Sequence, residues 1–166
     1  PGPRYDYAGE DDHTMKVHLT PSELYQAANV GCMRQCTNLR DGRTHRHGAD
    51  ASVGWSLNIE GACGEAAVAK ALGIYWSGSL GDFKAKDVGK HQVRTTHHPD
   101  GCLILHKTDL NEDIFLLVTG LAPEYEIRGW IQGFEGKSLN NWRTDTGRPA
   151  FFVPQEALYP MAEFPQ

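Results

Sequence analysis

Long apolar runs are missing from this chain. None approaches the roughly eighteen residues that a membrane-spanning helix needs, so no membrane partner is expected. The N-terminus lacks the basic-then-apolar layout of a secretory signal, which makes a cytoplasmic location the expectation. Positive charge is also short: a formal net charge of −5 argues against a protein that coats nucleic acid through bulk electrostatics, although a local basic cleft is still allowed. Cysteine is sparse, with four in the chain, and without export signals disulfides are not expected. No internal repeat is visible, which removes solenoid and propeller architectures.

What is present is the composition of a folded protein. Apolar residues make up 40% and charged residues 22%, enough to build a core without being insoluble. A length of 166 residues allows one ordinary domain. Residues 1–14, "PGPRYDYAGEDDHT", carry Pro, Gly and acids without apolar periodicity and read as a flexible lead-in, leaving 15–166 as a single domain. Cationic residues cluster in "RQCTNLRDGRTHRH" (34–47) and "KDVGKHQVRTTHH" (86–98), while acids gather at "GEDD" (9–12) and "DLNED" (109–113).

The periodicity predicts helices first and strands later. Thr20, Pro21 and Glu23 spell a capping box, and Asp41-Gly42 stops the helix they open. "NIEGACGEAAVAKALGIYW" predicts a second helix with Asn58 as its cap, an alanine-rich face and Gly73 as its stop. Beyond it, "DVGKHQVRTT", "CLILHKT", "DIFLLVTGL" and "YEIRGWIQGF" read as consecutive strands in a meander, followed by a short helical turn at "SLNNW", a strand in "PAFFVP" and a final turn. The expected fold is mixed α/β, a central mixed sheet of four to five strands flanked by helices.

A carboxylate-based phosphodiesterase holds Mg2+ with hard oxygen ligands and keeps a cation near the developing charge. A strand places residues two apart on one face, so a ligand and a cation can be presented together as E/Q-x-K/R. This chain has Glu65 on a helix, then Asp87, then Gln92-Val93-Arg94 on a strand. The order "GEAAVAKAL … DVGKHQVRTT", with the later "FLLVTGLAPEYEIRGWIQG" and "GRPAFFVPQEAL", resembles the PD-(D/E)XK nuclease superfamily and its small phage or mobile-element members, over residues 58–160. The resemblance implies a restriction-endonuclease-like fold and a Mg2+- or Mn2+-dependent endonuclease or DNA-processing enzyme that cleaves phosphodiester bonds. Its alternative is a decayed nuclease-fold module that binds DNA or a protein.

Carried over by position, the resemblance implies Glu65, Asp87, Gln92 and the Val93 carbonyl as metal ligands, with Arg94 at the phosphate. Two departures matter. Gln92 stands where the commoner form has a carboxylate, which removes one negative charge from the site. Arg94 replaces the usual lysine, and a guanidinium clamps phosphate without accepting a proton. A base then has to come from water at the metal, from His91, or from Lys86 or Lys90. DNA is the implied partner, with RNA as an alternative and a homodimer as a candidate assembly. Arg34, Arg40, Arg43 and Arg46, with Lys90, His91 and Thr95, are the candidate nucleic-acid contacts; a basic helix end that matches the macrodipole is the competing reading of the arginines. His97-His98 before "PDG" read as turn residues, "DLNED" as a solvated hairpin tip, and Cys32, Cys36, His45 and His47 as packing and loop residues ahead of a zinc site.

Overall fold

The chain is described here from a computed structural model, which covers residues 13–42, 53–80 and 86–165. Strand β1 (Met15–His18) leads into helix α1 (Pro21–Arg40) through the expected capping box: the Glu23 amide reaches the Thr20 hydroxyl, and the Glu23 carboxylate returns to the Thr20 amide. Such a cap is worth about 1 kcal/mol. Helix α2 (Gly54–Leu72) begins earlier than the sequence predicts, with Val53 rather than Asn58 at its N-cap, and closes on Gly73 in the left-handed region at φ 64°. Asn58 lies inside the helix because its amide has better partners there: it donates to the Gln35 side chain of α1 and to the Gly54 carbonyl, both at 2.8 Å.

The remaining strands are β2 (Gln92–Thr96), β3 (Leu103–Leu105), β4 (Ile114–Leu121) and β5 (Glu124–Gln132), then, after the single helical turn α3 (Gly133–Gly136), β6 (Trp142–Arg143) and β7 (Ala150–Val153). They form two sheets. The larger has the order β1-β5-β4-β2, antiparallel except for the parallel pair β2 and β4; the smaller has the order β3-β7-β6. The expected four-strand meander is therefore corrected. β3 leaves the main sheet for the smaller one, and this crossover lets β4 return parallel to β2. The architecture is mixed α/β, with a four-stranded mixed sheet at its centre.

The layers follow from side-chain alternation. Val93 of β2 and Leu116 and Val118 of β4 face the helices, packing with Cys63, Ala67 and Val68 of α2. Phe115 and Leu117 face the other way and pack against Leu103, Leu105, Phe151 and Val153 of the smaller sheet. The main sheet is thus covered by helices on one side and by a second sheet on the other. β5 contributes to both layers because an irregularity between Leu117 and Val118 leaves Arg128 unpaired and reverses its alternation: Ile127 faces the helices, Ile131 the smaller sheet.

Two glycines set the spacing of the helical layer. A Cβ on Gly31 would lie 2.5 Å from the Ile59 Cα, so α1 and α2 touch backbone to backbone. A Cβ on Gly64 would lie 1.9 Å from the Thr95 hydroxyl, so α2 lies directly on the edge strand β2. Residue 34 is thereby brought beside residue 65, and residue 65 beside the start of β2. The lead-in expected over residues 1–14 falls outside the described residues up to residue 12. Its last two residues are tied down: the Thr14 hydroxyl donates to Glu126, and the His13 carbonyl accepts from the Met161 amide.

Among the described residues, no helix is long and apolar enough to cross a membrane.

Candidate active site

Glu65 lies on the buried face of α2, one residue after the glycine that admits β2, and only 6% of its surface is exposed. A buried carboxylate needs donors. Arg34, one turn beyond Gly31 on α1, supplies a fork: Nη1 to Oε1 at 2.6 Å and Nη2 to Oε2 at 2.9 Å. The Trp76 indole adds a third donor to Oε2 at 3.1 Å, and the Arg34 Nε is fixed on the Ser79 carbonyl at 2.8 Å. Arg34 is held above its ordinary value; burial opposes its charge, and the hydrogen-bonded Glu65 outweighs that.

Asp87 approaches from the strand. It precedes a tight hairpin in which Val88 and His91 pair, and its amide donates to the His91 carbonyl. That turn folds the Asp87 carboxylate back along the free edge of β2, where Oδ2 accepts from the Val93 amide at 2.8 Å. At the edge Asp87 is open to both faces of the sheet. From the helical face it feels Glu65 and Arg34; from the opposite face Arg94 comes within 3.9 Å. Burial, then the charge of Glu65, push the Asp87 carboxyl up from 3.8 to about 6, against the Val93 amide and the two guanidiniums. Two carboxylates that repel each other in a partly buried setting are a common mark of a functional centre.

The expected ligand set does not come together as a whole. Gln92 and Arg94 leave β2 on the face covered by the smaller sheet, opposite Glu65, because residues two apart share a face and Val93 takes the helical side. The Val93 carbonyl accepts from Arg94 at 3.3 Å. Arg94 is anchored further by Asp109 at 3.1 Å, by the Ile104 carbonyl, and by the Phe115 ring at 5.1 Å. Among the described residues, no three His, Cys, Asp or Glu side chains converge as a metal cluster. A Mg2+ ion is commonly held by one or two carboxylates and completed by water and substrate phosphate, and of the two acids here only Asp87 has an oxygen free to meet it. The Asp87 Oδ1 accepts no hydrogen bond from the described residues, whereas both oxygens of Glu65 are taken by Arg34.

The other candidates are distributed as follows. Arg40 is exposed and pairs with its neighbour Asp41; Arg43 and Arg46, like His45 and His47, lie outside the described residues. Lys90 is exposed at the hairpin tip. The His91 ring is buried with its edge to Phe164 at 4.9 Å and no partner for Nδ1, and burial, then Lys90, lower its pKa. The Thr95 hydroxyl is buried under Gly64, also without a partner. Cys32 is half-buried and Cys36 exposed, and both are free thiols.

The acidic stretch 109–113 is more than a solvated tip. Asp109 accepts from both Arg94 and the His106 amide, and the buried Asp113 pairs with Lys86 at 2.5 Å. These aspartates are drawn inward because the crossover from β3 to β4 passes the start of β2, where cations wait. Sequence reasoning missed this role, and it missed Trp76 and the pairing of Arg34 with Glu65. The spacing of Gly31 and Arg34 by three was the available signal for that pair, since it puts the guanidinium on the helix face that the close approach buries.

Comparisons with protein-family models, with curated proteins and with solved structures each return no match.

Proposed function

We propose that this chain is a Mg2+- or Mn2+-dependent phosphodiesterase of the PD-(D/E)XK type, acting on DNA, with Glu65 and Asp87 as its acidic pair. The observation that supports the reading is the placement of these two acids, one on a buried helix face and one at the edge of the Gln92-x-Arg94 strand, with the Asp87 pKa raised first by burial and then by the charge of Glu65. A divalent ion bound there supplies Lewis-acid polarisation of the phosphodiester and activation of water.

The chain's own residues have separate tasks. Asp87 is fixed through Oδ2 by the Val93 amide, which leaves Oδ1 without a hydrogen bond from the described residues. Arg94 stays inside, holding Asp87 and Asp109 in place, and cannot take a proton. His91 is turned into the core and Lys86 is committed to Asp113, so neither is placed to take a proton, and the exposed Lys90 is the candidate base that stays free among the described residues. Incubation with supercoiled, linear, branched and single-stranded DNA, and with RNA, in Mg2+ or Mn2+ tests the reading. Cleavage that is lost in Asp87→Asn supports it, and cleavage unchanged in that variant overturns it. Sedimentation of the active species separates monomer from homodimer.

A second reading has its own support. The same scaffold binds DNA or a protein without cutting, which is favoured by the Arg34 fork on Glu65 and by Gln92 facing away from it. Tight binding to uncleaved DNA, insensitive to Mg2+, is its expected result.

A further inference from the structure

The C-terminal end of the chain lies over the one buried imidazole among the described residues, and it is fastened unevenly. Upstream it is tied at several points. Trp130 and Tyr159 exchange backbone hydrogen bonds at 3.1 and 2.8 Å, and the Trp130 indole donates to the Pro160 carbonyl at 3.1 Å. The Tyr159 hydroxyl donates to Glu135 at 2.7 Å, and the amide of the buried Met161 donates to the His13 carbonyl at 3.0 Å. Beyond Met161 these ties stop. The Glu163 and Phe164 amides bond only within the turn, to the carbonyls of Pro160 and Met161, and residues 162–165 make no hydrogen bond to any other part of the described chain. Ala162, Glu163 and Pro165 are exposed. What holds this end down is the half-buried Phe164 ring, in edge contact with His91 at 4.9 Å and with Trp130 at 5.9 Å.

The covered group is poorly served by its cover. His91 is 3% exposed, its Nδ1 is buried with no partner, and a phenyl ring offers none. Lifting Phe164 exposes apolar surface, which opposes opening, and hydrates Nδ1, which favours it. A terminal segment with one apolar contact and no hydrogen bond to the body is the kind that opens locally while the rest stays folded. We infer that residues 162–165 are a lid hinged at Met161, which withholds His91 from solvent when closed and presents its imidazole at the hairpin, beside Lys90, when open. The lid makes His91 a conditional group: out of reach of any ligand in the closed protein and open to proton transfer or ligation once Phe164 leaves. It does not depend on the reading of Glu65 and Asp87.

Carbethoxylation of the full chain by diethyl pyrocarbonate at pH 7.5, read histidine by histidine through peptide mass spectrometry, tests the lid, with the exposed His98 as internal reference. In the wild type His91 reacts about tenfold or more slower than His98, at a rate that urea well below the unfolding midpoint leaves unchanged, as local opening requires. Phe164→Ala speeds His91 about tenfold or more and leaves His98 as it was, with the circular dichroism of wild type. Phe164→Leu, which keeps apolar bulk, lies between the two and serves as the test if the alanine variant does not fold. A wild-type His91 as reactive as His98 overturns the closed lid. A His91 that stays slow in the folded Phe164 variants overturns it too, by showing that other parts of the fold cover the imidazole. So does a wild-type rate that climbs with urea in step with global unfolding, because access then comes from unfolding and not from a hinge at Met161.

Discussion

Replacing Asp87 with asparagine should stabilise the protein at alkaline pH, against the usual result of removing a hydrogen-bonded acid. The carboxyl is raised from 3.8 to about 6, first by burial and then by Glu65. The gap of about 2.2 pH units, at about 1.36 kcal/mol each, corresponds to a cost of about 3 kcal/mol when the group is charged. This is an upper bound, because a quarter of the side chain is open to solvent. The sign follows from proton counting. Between the unfolded value of 3.8 and the folded value of about 6 the native state holds the extra proton, so stability falls as pH rises through that window, and the full cost is present above it. Asparagine keeps a carbonyl for the Val93 amide and removes the charge. Urea unfolding of wild type and Asp87→Asn at pH 8 and pH 4 reads the effect. The variant should gain 1–3 kcal/mol on wild type at pH 8, and that gain should vanish near pH 4. Titration of His91 is common to both proteins and cancels in the difference. An Asp87→Asn variant less stable than wild type at pH 8 would refute the reasoning, because it would mean that Arg94 and Arg34 outweigh burial and Glu65.

Three other substitutions test the surroundings. Glu65→Gln strands the Arg34 guanidinium in a half-buried position and should cost about 3 kcal/mol in denaturant unfolding; no loss would mean that the fork does not form in solution. Gly64→Ala drives a methyl into the Thr95 side chain and should cost about 2 kcal/mol, only part of it recovered in the double variant with Thr95→Ala, whose retained Cβ still lies 2.9 Å from the added methyl, as a double-mutant cycle would show. His91 is held neutral by burial, so its folded pKa lies below the unfolded 6.5 and stability is lost as pH falls below that value; His91→Leu should flatten the melting temperature between pH 7 and pH 5.

Local chemistry was legible in the sequence, and long-range pairing was not. The capping box at Thr20 and the glycine stop at Gly73 are decided within a few residues, and both stand where the pattern put them. Asn58 was misplaced as a cap because its side chain serves a tertiary partner, Gln35, that no local rule reveals. β1 was not foreseen: four residues, of which only Val17 is buried, give too short an alternation to detect. The meander failed because "CLILHKT" is equally apolar whichever sheet it joins. The site follows the same division. Glu65 and Asp87 were singled out by order along the chain, and in the fold the Glu65 charge contributes, after burial, to raising the Asp87 carboxyl. Gln92 was grouped with them by spacing, yet strand alternation sends it to the other face once Val93 has taken the core side. The partner of Glu65 depends on how closely α1 and α2 approach at Gly31, a distance that a sequence does not carry.

Mg2+-dependent cleavage of a DNA panel by wild type, Glu65→Gln and Asp87→Asn tests the central claim most directly. The account predicts cleavage by wild type and its loss in both variants, with Asp87→Asn folded and at least as stable as wild type at the assay pH. Cleavage that survives in either variant, or none by wild type on any substrate and metal offered, would contradict it.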